Sequence, residues 1–165
     1  MGAHHPKRFS NTYLFYKKGW SGINIDAMPG SMELFNRFRI RDINLELAIG
    51  QVLDELDYQM FNEPALNGFS RESGEERNAQ ISPYEIEKVI KVLVVPLAEV
   101  LDRYLPDRQL IDFLSVDVEG FDLEVLKSND WENYRPKYVL VEVLRSGLQE
   151  VLNSATNKFL GKCRL

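Results

Sequence analysis

Short apolar runs alternate with helically spaced apolar residues along most of the chain. The apolar runs that predict buried strands span 22–26, 43–50, 111–116 and 137–144. The segments whose apolar residues recur at helical spacing span 7–18, 31–40, 97–105, 121–131 and 147–160. Strands that alternate with helices are typical of a parallel sheet with helices on its faces. The pattern therefore predicts an α/β fold with a mostly parallel central sheet.

Local signals predict where several elements begin and end. Lys17, Lys18 and Gly19 end the first helix with two cations and a glycine. Ser31 is the predicted N-cap of the second helix. The last residues, 161–165, predict the beginning of one more strand.

The middle of the chain departs from this alternation. Segments 52–61 and 85–95 are both strand-like, and residues 62–83 between them are rich in Gly, Asn, Ser, Pro and charge. We therefore predict a β-hairpin insertion at about 52–95. Its long loop is either a lid that recognises a substrate or a solvated hairpin tip.

Composition narrows the class of protein. The chain has 165 residues, about the size of one domain, and 44% of them are hydrophobic, so we predict a single domain over 1–165. A net charge of −5 provides no broad basic surface for nucleic acid or an anionic membrane. The single cysteine, Cys163, cannot form an internal disulfide, and no apolar run approaches the roughly 18 residues that span a bilayer. These features favour a cytoplasmic protein.

Acidic residues stand at the ends of three predicted strands. Asp26 ends the first strand, Asp117 and Glu119 follow the strand at 111–116, and Glu142 lies in the last. Ligands bind outside the carboxyl ends of strands in an open parallel sheet, so these acids predict a cleft at one edge. An acid in the position of Asp26 can accept hydrogen bonds from both hydroxyls of a nucleotide ribose. An acid that only begins a turn is an equally good interpretation.

The Asp-Val-Glu-Gly run at 117–120 allows several interpretations. Two nearby carboxylates can bind a divalent cation, or they can hydrogen-bond a hydroxyl or amine of a substrate. Asp117 and Glu119 share a side only if the backbone stays extended, whereas Gly120 favours a sharp turn. A structural alternative is a helix start, with Glu119 near the positive end of the helix dipole.

Two further short segments, 48–50 and 4–5, bear on ligand binding. Gly50, which follows Ala48 and Ile49, is expected to leave room for a flat ring beside the backbone. His4 and His5 are adjacent and therefore diverge, and the chain has no third histidine, so we predict no metal site. The patterned residues that follow His5 argue against an expression tag.

Three stretches of the chain resemble the FkbM-type methyltransferases, which depend on S-adenosylmethionine (SAM). They read "GAHHPKRFSNTYLFYKKGWSGINIDAMP", "IDFLSVDVEGFDLEVLKSNDW" and "YVLVEV". The Gly-Ala-His-His-Pro loop, the Ser-Asn-Thr run, the Asp26 strand end and the Asp-Val-Glu-Gly element stand in the family's order. The resemblance runs from Gly2 to about Val143, and the ordered set makes it specific.

The resemblance implies a fold, a reaction and partners. The implied fold is a Rossmann-like three-layer sandwich that binds SAM. The implied reaction is methylation of a hydroxyl on a sugar, a polysaccharide or a natural product. The partner is then a small-molecule or glycan acceptor, and the hairpin at 62–83 is the expected place for acceptor specificity.

The resemblance also implies which residues bind the cofactor and which act on the acceptor. The implied cofactor-binding residues are Gly2, Ala3, His4, Asn11, Thr12, Asp26, Ala27, Ala48, Ile49 and Asp117. The glycine loop would approach the methionine portion, Asp26 the ribose, and Ala48 with Ile49 the adenine. Asp117 and Glu119 would be the catalytic residues, one of which orients the acceptor hydroxyl or takes its proton.

The sequence departs from the family's pattern at both ends. Family members have an apolar strand before the glycine loop, whereas Met1 stands directly before Gly2. The chain also ends in what would be the terminal strand pair. We therefore expect a fold truncated at both ends, with two exposed strand edges. Such a chain would be a fragment, the product of a misassigned start, or a chain completed by a partner, for which a homodimer is one form.

Two rival functions stay open at this stage. The acidic triplet at 117–119 also resembles the element with which metal-dependent glycosyltransferases hold a metal and a nucleotide-diphosphate sugar. The second rival is a degenerate Rossmann-like domain without catalytic activity. An NAD-dependent enzyme is disfavoured because no G-x-G-x-x-G occurs in the chain.

Overall fold

The structure, a computed structural model, describes residues 1–62, 85–143 and 147–163. Its strands are β1 (Ile23–Asp26), β2 (Ile43–Glu46), β3 (Ala48–Ile49), β4 (Asp54–Phe61), β5 (Ile86–Val95), β6 (Phe113–Val116) and β7 (Tyr138–Val141). Its helices are α1 (Tyr13–Lys17), α2 (Met32–Phe38), α3 (Leu97–Tyr104), α4 (Asp122–Lys127), α5 (Leu148–Asn153) and α6 (Ala155–Lys162). The predicted α/β alternation is confirmed. Apart from its first residue, the predicted hairpin loop at 62–83 lies outside the described residues.

The predicted strand at 43–50 is divided between two sheets. β2 pairs in parallel with β1, and Asp26 lies opposite Glu46. The N–H of Leu47 donates to the Asp26 carbonyl at 3.0 Å, after which β3 pairs in parallel with β5 instead. An apolar run shows that a strand is buried but not which strand it pairs with, so the pattern does not predict this change of partner.

The predicted hairpin is confirmed where it is described. β4 pairs antiparallel with β5, and Tyr58 lies opposite Ile90. A small buried cluster joins the hairpin to β3; its members are Ala48, Tyr58, Val92 and Val94. The hairpin is therefore packed against the rest of the domain at its base.

The described strands form three hydrogen-bonded sheets rather than one. Their orders are β1-β2, β3-β5-β4 and β6-β7, and every pairing except β4-β5 is parallel. The mostly parallel character is as predicted, but the single central sheet is not. Residues 1–3 lie between β1 and β6 and hydrogen-bond to both, but they are too short to join the two strands along their length.

The first helix is shorter than predicted. The prediction over 7–18 is correct only for α1. Phe9 has a φ of +53° and is 86% exposed, so it belongs neither to a helix nor to the apolar stripe of one. A left-handed backbone at a bulky residue interrupts a right-handed helix, which therefore begins later.

The C-terminal helix also differs from its prediction. It is divided into α5 and α6 at Ser154, whose Oγ accepts the N–H of Asn157 at 3.0 Å and so caps a new helix. Gly161 and Lys162 continue α6, so the strand predicted from 161 is wrong there, and the last two residues lie outside the described range. By contrast, Ser31 holds the N-cap position of α2 without a side-chain cap hydrogen bond.

The main hydrophobic core packs α3 and α4 against β1, β3 and β6. Its buried residues are Ile25, Ile49, Leu97, Val100, Leu101, Val116, Val125 and Leu126. Three of them come from the apolar stripe of α3, as its pattern predicts. This packing leaves the carboxyl ends of β1, β3 and β6 beside one cavity. In the described parts of the chain, no helix has both the length and the apolar character to cross a membrane.

Candidate methyl-transfer site

One cavity of about 940 Å³ begins at the carboxyl ends of β1, β3 and β6 and extends along β1 and β6 as far as Ser21 and Ile111. Every residue that the sequence predicts for the cofactor or the reaction lines it. These residues are Gly2, Ala3, His4, Asn11, Thr12, Asp26, Ala27, Ala48, Ile49, Asp117 and Glu119. The structure thus brings the predicted set together around one space, and the binding role of each residue stays a prediction.

Asp26 is buried at the end of β1 and holds two loops. Its Oδ2 accepts the N–H of His4 at 2.8 Å, and its Oδ1 accepts the N–H of Met28 at 2.9 Å. The interpretation of Asp26 as a turn acid is therefore correct. Each carboxylate oxygen keeps a second lone pair, so Asp26 can also accept a ribose hydroxyl, and that role stays a prediction.

Gly2 packs directly against the end of β6. Its φ is +64°, a backbone conformation that favours glycine. A Cβ at this position would overlap the carbonyl oxygen of Asp117. On the other side of the loop, the N–H of Ala3 donates to the Ile25 carbonyl at 3.2 Å. The loop therefore contacts both β1 and β6 through its backbone, and only glycine fits where it meets β6.

A buried arginine that the sequence analysis missed also holds this loop. Arg39 is 3% exposed. Its guanidinium donates to Asp42 Oδ2 at 2.8 Å, to the Pro6 carbonyl at 3.2 Å and to Thr12 Oγ1 at 3.1 Å. Asp42 also accepts from Asn24 Nδ2 at 2.9 Å, which ties the network to β1. In the sequence, "NRFRIRD" reads as an exposed basic segment, so no signal distinguishes Arg39 from its basic neighbours.

Three carboxylates converge at the ends of β6 and β7. Side-chain oxygens of Asp117, Glu119 and Glu142 all lie within 4.8 Å of one another. The backbone between them is not extended, because Glu119 has a φ of +53° and Gly120 a φ of +96°. The sharp turn predicted at Gly120 is confirmed. The expectation that Asp117 and Glu119 come together only in an extended backbone is wrong.

Asp122, which the sequence analysis did not single out, stabilises that turn. Its buried carboxylate accepts the N–H groups of Val118 and Gly120, both at 3.1 Å. Burial raises the pKa of Asp122, although these two hydrogen bonds act in the opposite direction. Because α4 begins only at Asp122, the helix-start interpretation fits Asp122 better than Glu119.

Glu142 is the third carboxylate, and it was not among the predicted catalytic residues. The residue is exposed as a whole, but its carboxyl group reaches Asp117 and hydrogen-bonds to it. Partial burial, followed by the charges of Asp117 and Glu119, raises the pKa of Glu142 to about 7. A carboxyl with a pKa near neutrality is suited to accepting and returning a proton at physiological pH. Its sequence signal is its position at the end of a buried strand.

Tyr58 of the hairpin lines the cavity next to the acids. It is 6% exposed, and burial raises the pKa of its hydroxyl, with further contributions from the charges of Asp26 and Glu119. The hydroxyl therefore stays protonated and can donate a hydrogen bond. The alternation of β4 predicts a strand, but it does not show that Tyr58 lies beside residues from β1 and β6.

The space beside Gly50 differs from the expectation. A Cβ there would lie 2.6 Å from Val94 Cγ1 and 3.5 Å from Phe121 Cε1. Protein side chains therefore occupy the position, and the expected room for a flat ring beside Gly50 is wrong. Ala48 and Ile49 do line the cavity, although both side chains are buried.

His4 and His5 have separate structural roles in the loop. His4 has a φ of +51° and binds Asp26 through its backbone N–H. The ring Nδ1 of His5 accepts the N–H of Lys7 at 3.1 Å and that of Arg8 at 2.9 Å. The His5 ring therefore stabilises the turn that follows it.

A sequence model of a known family matches nearly the whole chain. It is described as the methyltransferase FkbM domain, and it matches residues 1–163. The chain belongs to the FkbM methyltransferase family. No curated protein and no solved structure matches the chain significantly.

Membership of the FkbM family confirms the resemblance seen in the sequence and gives the site its general chemistry. The family is one of methyltransferases, and its fold is a Rossmann-like α/β fold, with which the mixed sheets and helices agree. The glycosyltransferase alternative receives no support from this match.

Proposed function

We propose that this chain transfers a methyl group from SAM to a hydroxyl group of a sugar, a polysaccharide or a natural product. The observation that carries the proposal is a single cavity that joins a glycine loop held by Asp26 to the carboxylates of Asp117 and Glu119. The loop can bind the cofactor, and the carboxylates can hydrogen-bond the hydroxyl of the acceptor. Both lie at the carboxyl ends of parallel strands, where open α/β sheets bind ligands.

The residues that line the cavity fit SAM. The whole cavity, including the gap along β1 and β6, has a volume of about 940 Å³, and small-molecule sites span about 300–1,000 Å³. Asp26, Asp117 and Glu119 supply negative charge that attracts a positively charged sulfonium group. The lack of a Cβ at Gly2 keeps the loop backbone against β6.

In this proposal the β1 side of the cavity binds the cofactor. The loop at Gly2 holds the methionine portion, and Thr12, which Arg39 fixes in place, borders it. Asp26 accepts the ribose hydroxyls, and Ala48 contributes to the apolar surface for the adenine. These roles follow the family resemblance, and the structure supports them by placing the residues around one cavity.

The β6 side of the cavity acts on the acceptor. SAM, when bound, supplies a methyl group that is already activated on a positively charged sulfur. The chain must hold the acceptor oxygen in line at about 3 Å and accept its proton. Asp117 and Glu119 orient the hydroxyl. Because Glu142 hydrogen-bonds to Asp117 and has a pKa of about 7, the pair accepts the proton more readily above that pH.

Ligand binding tests the cofactor half of the proposal. SAM, or its demethylated product, should raise the Tm of the full chain as its concentration exceeds the Kd. A UDP-sugar with Mn²⁺ should leave the Tm unchanged. The opposite result would favour the metal-dependent glycosyltransferase, and a lack of response to either ligand would favour the domain without catalytic activity.

Methyl transfer tests the acceptor half. The full chain, with SAM labelled in its methyl group, should label one class within a panel of sugars, polysaccharides and natural products that carry hydroxyls. Asp117→Asn and Glu119→Gln should lose turnover at saturating SAM, and each should still bind SAM, although more weakly because one charge that attracts the sulfonium group is gone. Glu87→Gln, on an exposed position of β5, is the matched control and should change neither. Full turnover in both cavity variants, with SAM binding intact, would overturn the assignment.

A further inference from the structure

Positive charge is concentrated in residues 1–41. This segment contains seven Lys or Arg and two Asp or Glu, although the whole chain has 20 of the former against 25 of the latter. Of the two acids, Asp26 is buried and Glu33 is exposed. The net charge of −5 therefore conceals a basic region, and the expectation drawn from net charge does not apply to it.

The end of α2 brings two arginines onto α1. The guanidinium of Arg41 lies 3.9 Å from the centre of the Tyr16 ring, and it also donates to the Tyr16 carbonyl. The guanidinium of Arg39 lies 4.5 Å from the centre of the same ring. Lys17, the next residue of α1, is exposed. The C-terminal ends of the two helices therefore bring positive charge together.

Phe38 joins this region to the residues before α1. The Nζ of Lys7 lies 3.8 Å from the centre of the Phe38 ring, and the guanidinium of Arg37 lies 5.4 Å from it. The buried Arg39 donates to the carbonyl of Pro6 at 3.2 Å, which fixes the backbone just before Lys7. We name this region the basic surface and define it by Lys7, Lys17, Arg37, Phe38, Ile40 and Arg41, all of which are exposed.

The four cations of the basic surface have no acidic partner. Within residues 1–62, 85–143 and 147–163, no ion pair joins Lys7, Lys17, Arg37 or Arg41 to a carboxylate. By contrast, a lysine of β5, one of α4 and one just before β7 each pair with an acid. Neighbouring like charges without a counter-charge repel one another, so an anion that binds among them is attracted by all four.

Exposed apolar side chains lie among these cations. Ile40 is 76% exposed, and it stands in the chain between the two arginines that contact Tyr16. Leu34 and Phe38 are also exposed, and they are neighbours on one face of α2 because they are four residues apart. Cations combined with exposed apolar side chains are typical of surfaces that lie at a membrane interface.

We propose that the basic surface docks on an anionic phospholipid membrane. Its four cations contact lipid phosphates and acidic headgroups, and Ile40 with Phe38 enters the boundary between headgroups and acyl chains. A nucleic acid is the main alternative, because it also presents a row of phosphates. The aliphatic side chains of Ile40 and Leu34 favour the membrane, since bases stack on aromatic rings rather than on aliphatic groups. The proposal does not depend on the proposed function.

Vesicle binding by the full chain tests the proposal without SAM or an acceptor. Phosphatidylcholine vesicles with about 30% phosphatidylserine should bind the chain at least about tenfold more tightly than vesicles of phosphatidylcholine alone. Lys17→Gln combined with Arg37→Gln should weaken binding by about 25-fold, because each cation near an anionic surface contributes about fivefold. The matched control, Lys158→Gln combined with Lys162→Gln, removes two exposed cations of α6 and should change binding by less than about twofold.

A second pair of variants tests the contribution of apolar contact. Ile40→Ala should weaken binding to the anionic vesicles by at least about threefold, because less apolar surface then leaves water. Leu148→Ala is the control, because Leu148 is 79% exposed on α5, outside the basic surface, and its affinity should be unchanged. Equal affinities of the two variants would overturn insertion into the membrane interface.

Three further results would overturn the proposal. The first is equal binding to neutral and anionic vesicles, or binding to neither. The second is an equal loss of vesicle binding in the basic-surface pair and in the α6 pair. The third is binding of a single-stranded RNA of mixed sequence that depends on Lys17 and Arg37 while anionic vesicles do not bind, which identifies a nucleic acid as the partner.

Discussion

The acidic groups on the two sides of the cavity have different surroundings. On the β1 side, Asp26 accepts two backbone N–H groups, and Asp42 is paired with the buried Arg39. On the β6 side, Asp117 and Glu142 crowd each other, and the pKa of Glu142 is raised to about 7. Carboxylates with satisfied hydrogen bonds fix a structure, whereas crowded carboxylates readily take up a proton or a positive charge. We infer that the β1 side holds the loop and the β6 side performs the chemistry.

The largest expected effect is on stability, and it comes from removing the ion pair between Arg39 and Asp42 on the β1 side. Arg39→Ala leaves Asp42 buried without its cation and frees the loop at Pro6 and Thr12. The free energy of unfolding should fall by about 3–5 kcal/mol, measured by urea denaturation. Arg37→Ala, on an exposed position of α2, is the control and should change it by less than about 0.5 kcal/mol. Equal effects of the two variants would contradict the structural role of Arg39.

The second effect concerns the β6 side and should appear in the rate rather than in stability. Glu142→Gln removes the group that takes the proton from Asp117, so methyl transfer should slow by about 10²-fold or more. The affinity for SAM should stay within about twofold. The measurement is steady-state turnover with an acceptor from the panel, and Glu87→Gln serves as its control. An unchanged rate would remove Glu142 from the reaction.

The third effect tests how closely the loop and β6 must approach. Gly2→Ala places a Cβ on the Asp117 carbonyl, so the loop must move and SAM affinity should fall about tenfold or more. Equilibrium binding of SAM measures this change. Gly161→Ala is the control, because a Cβ there meets no atom within 4 Å and alanine favours the helix. Equal affinities in the two variants would show that the loop does not hold the cofactor.

The smallest effect is a pH dependence of stability. The pKa of Glu142 is raised from 4.5 to about 7 in the folded chain, so the folded state binds more protons than the unfolded state between these values. The free energy of unfolding should therefore fall as pH rises through this window. In Glu142→Gln this decline should be smaller, as measured by denaturation at a series of pH values. Identical pH profiles would show that the carboxylates do not interact as described.

The sequence correctly predicts the elements whose apolar residues recur at a regular spacing, and it predicts the acidic residues at the ends of strands. The buried strand at Asp26 and the apolar stripe of α3 follow from spacing alone. The sequence did not predict that 43–50 changes its pairing partner at Leu47, because an apolar run does not identify its neighbour. It also predicted a first helix that is too long. Phe9 contributes to the apolar pattern, but its backbone is left-handed and cannot belong to the helix.

The candidate site was predicted in part on each side of the cavity. The family resemblance named Gly2, Asp26 and Asp117, all of which line the cavity. It did not indicate Arg39, because a buried arginine and an exposed one look alike in a basic segment. The contribution of Glu142 depends on its distance from Asp117, which only the fold determines.

Calorimetric titration of SAM into the full chain and two variants tests the division of roles most directly. The chain itself should bind SAM one to one, Glu142→Gln should retain binding and Asp26→Ala should lose it, with folding of both variants checked by circular dichroism. Absence of binding by the natural sequence would contradict the account. So would the reverse pattern, in which Asp26→Ala binds SAM normally and Glu142→Gln does not.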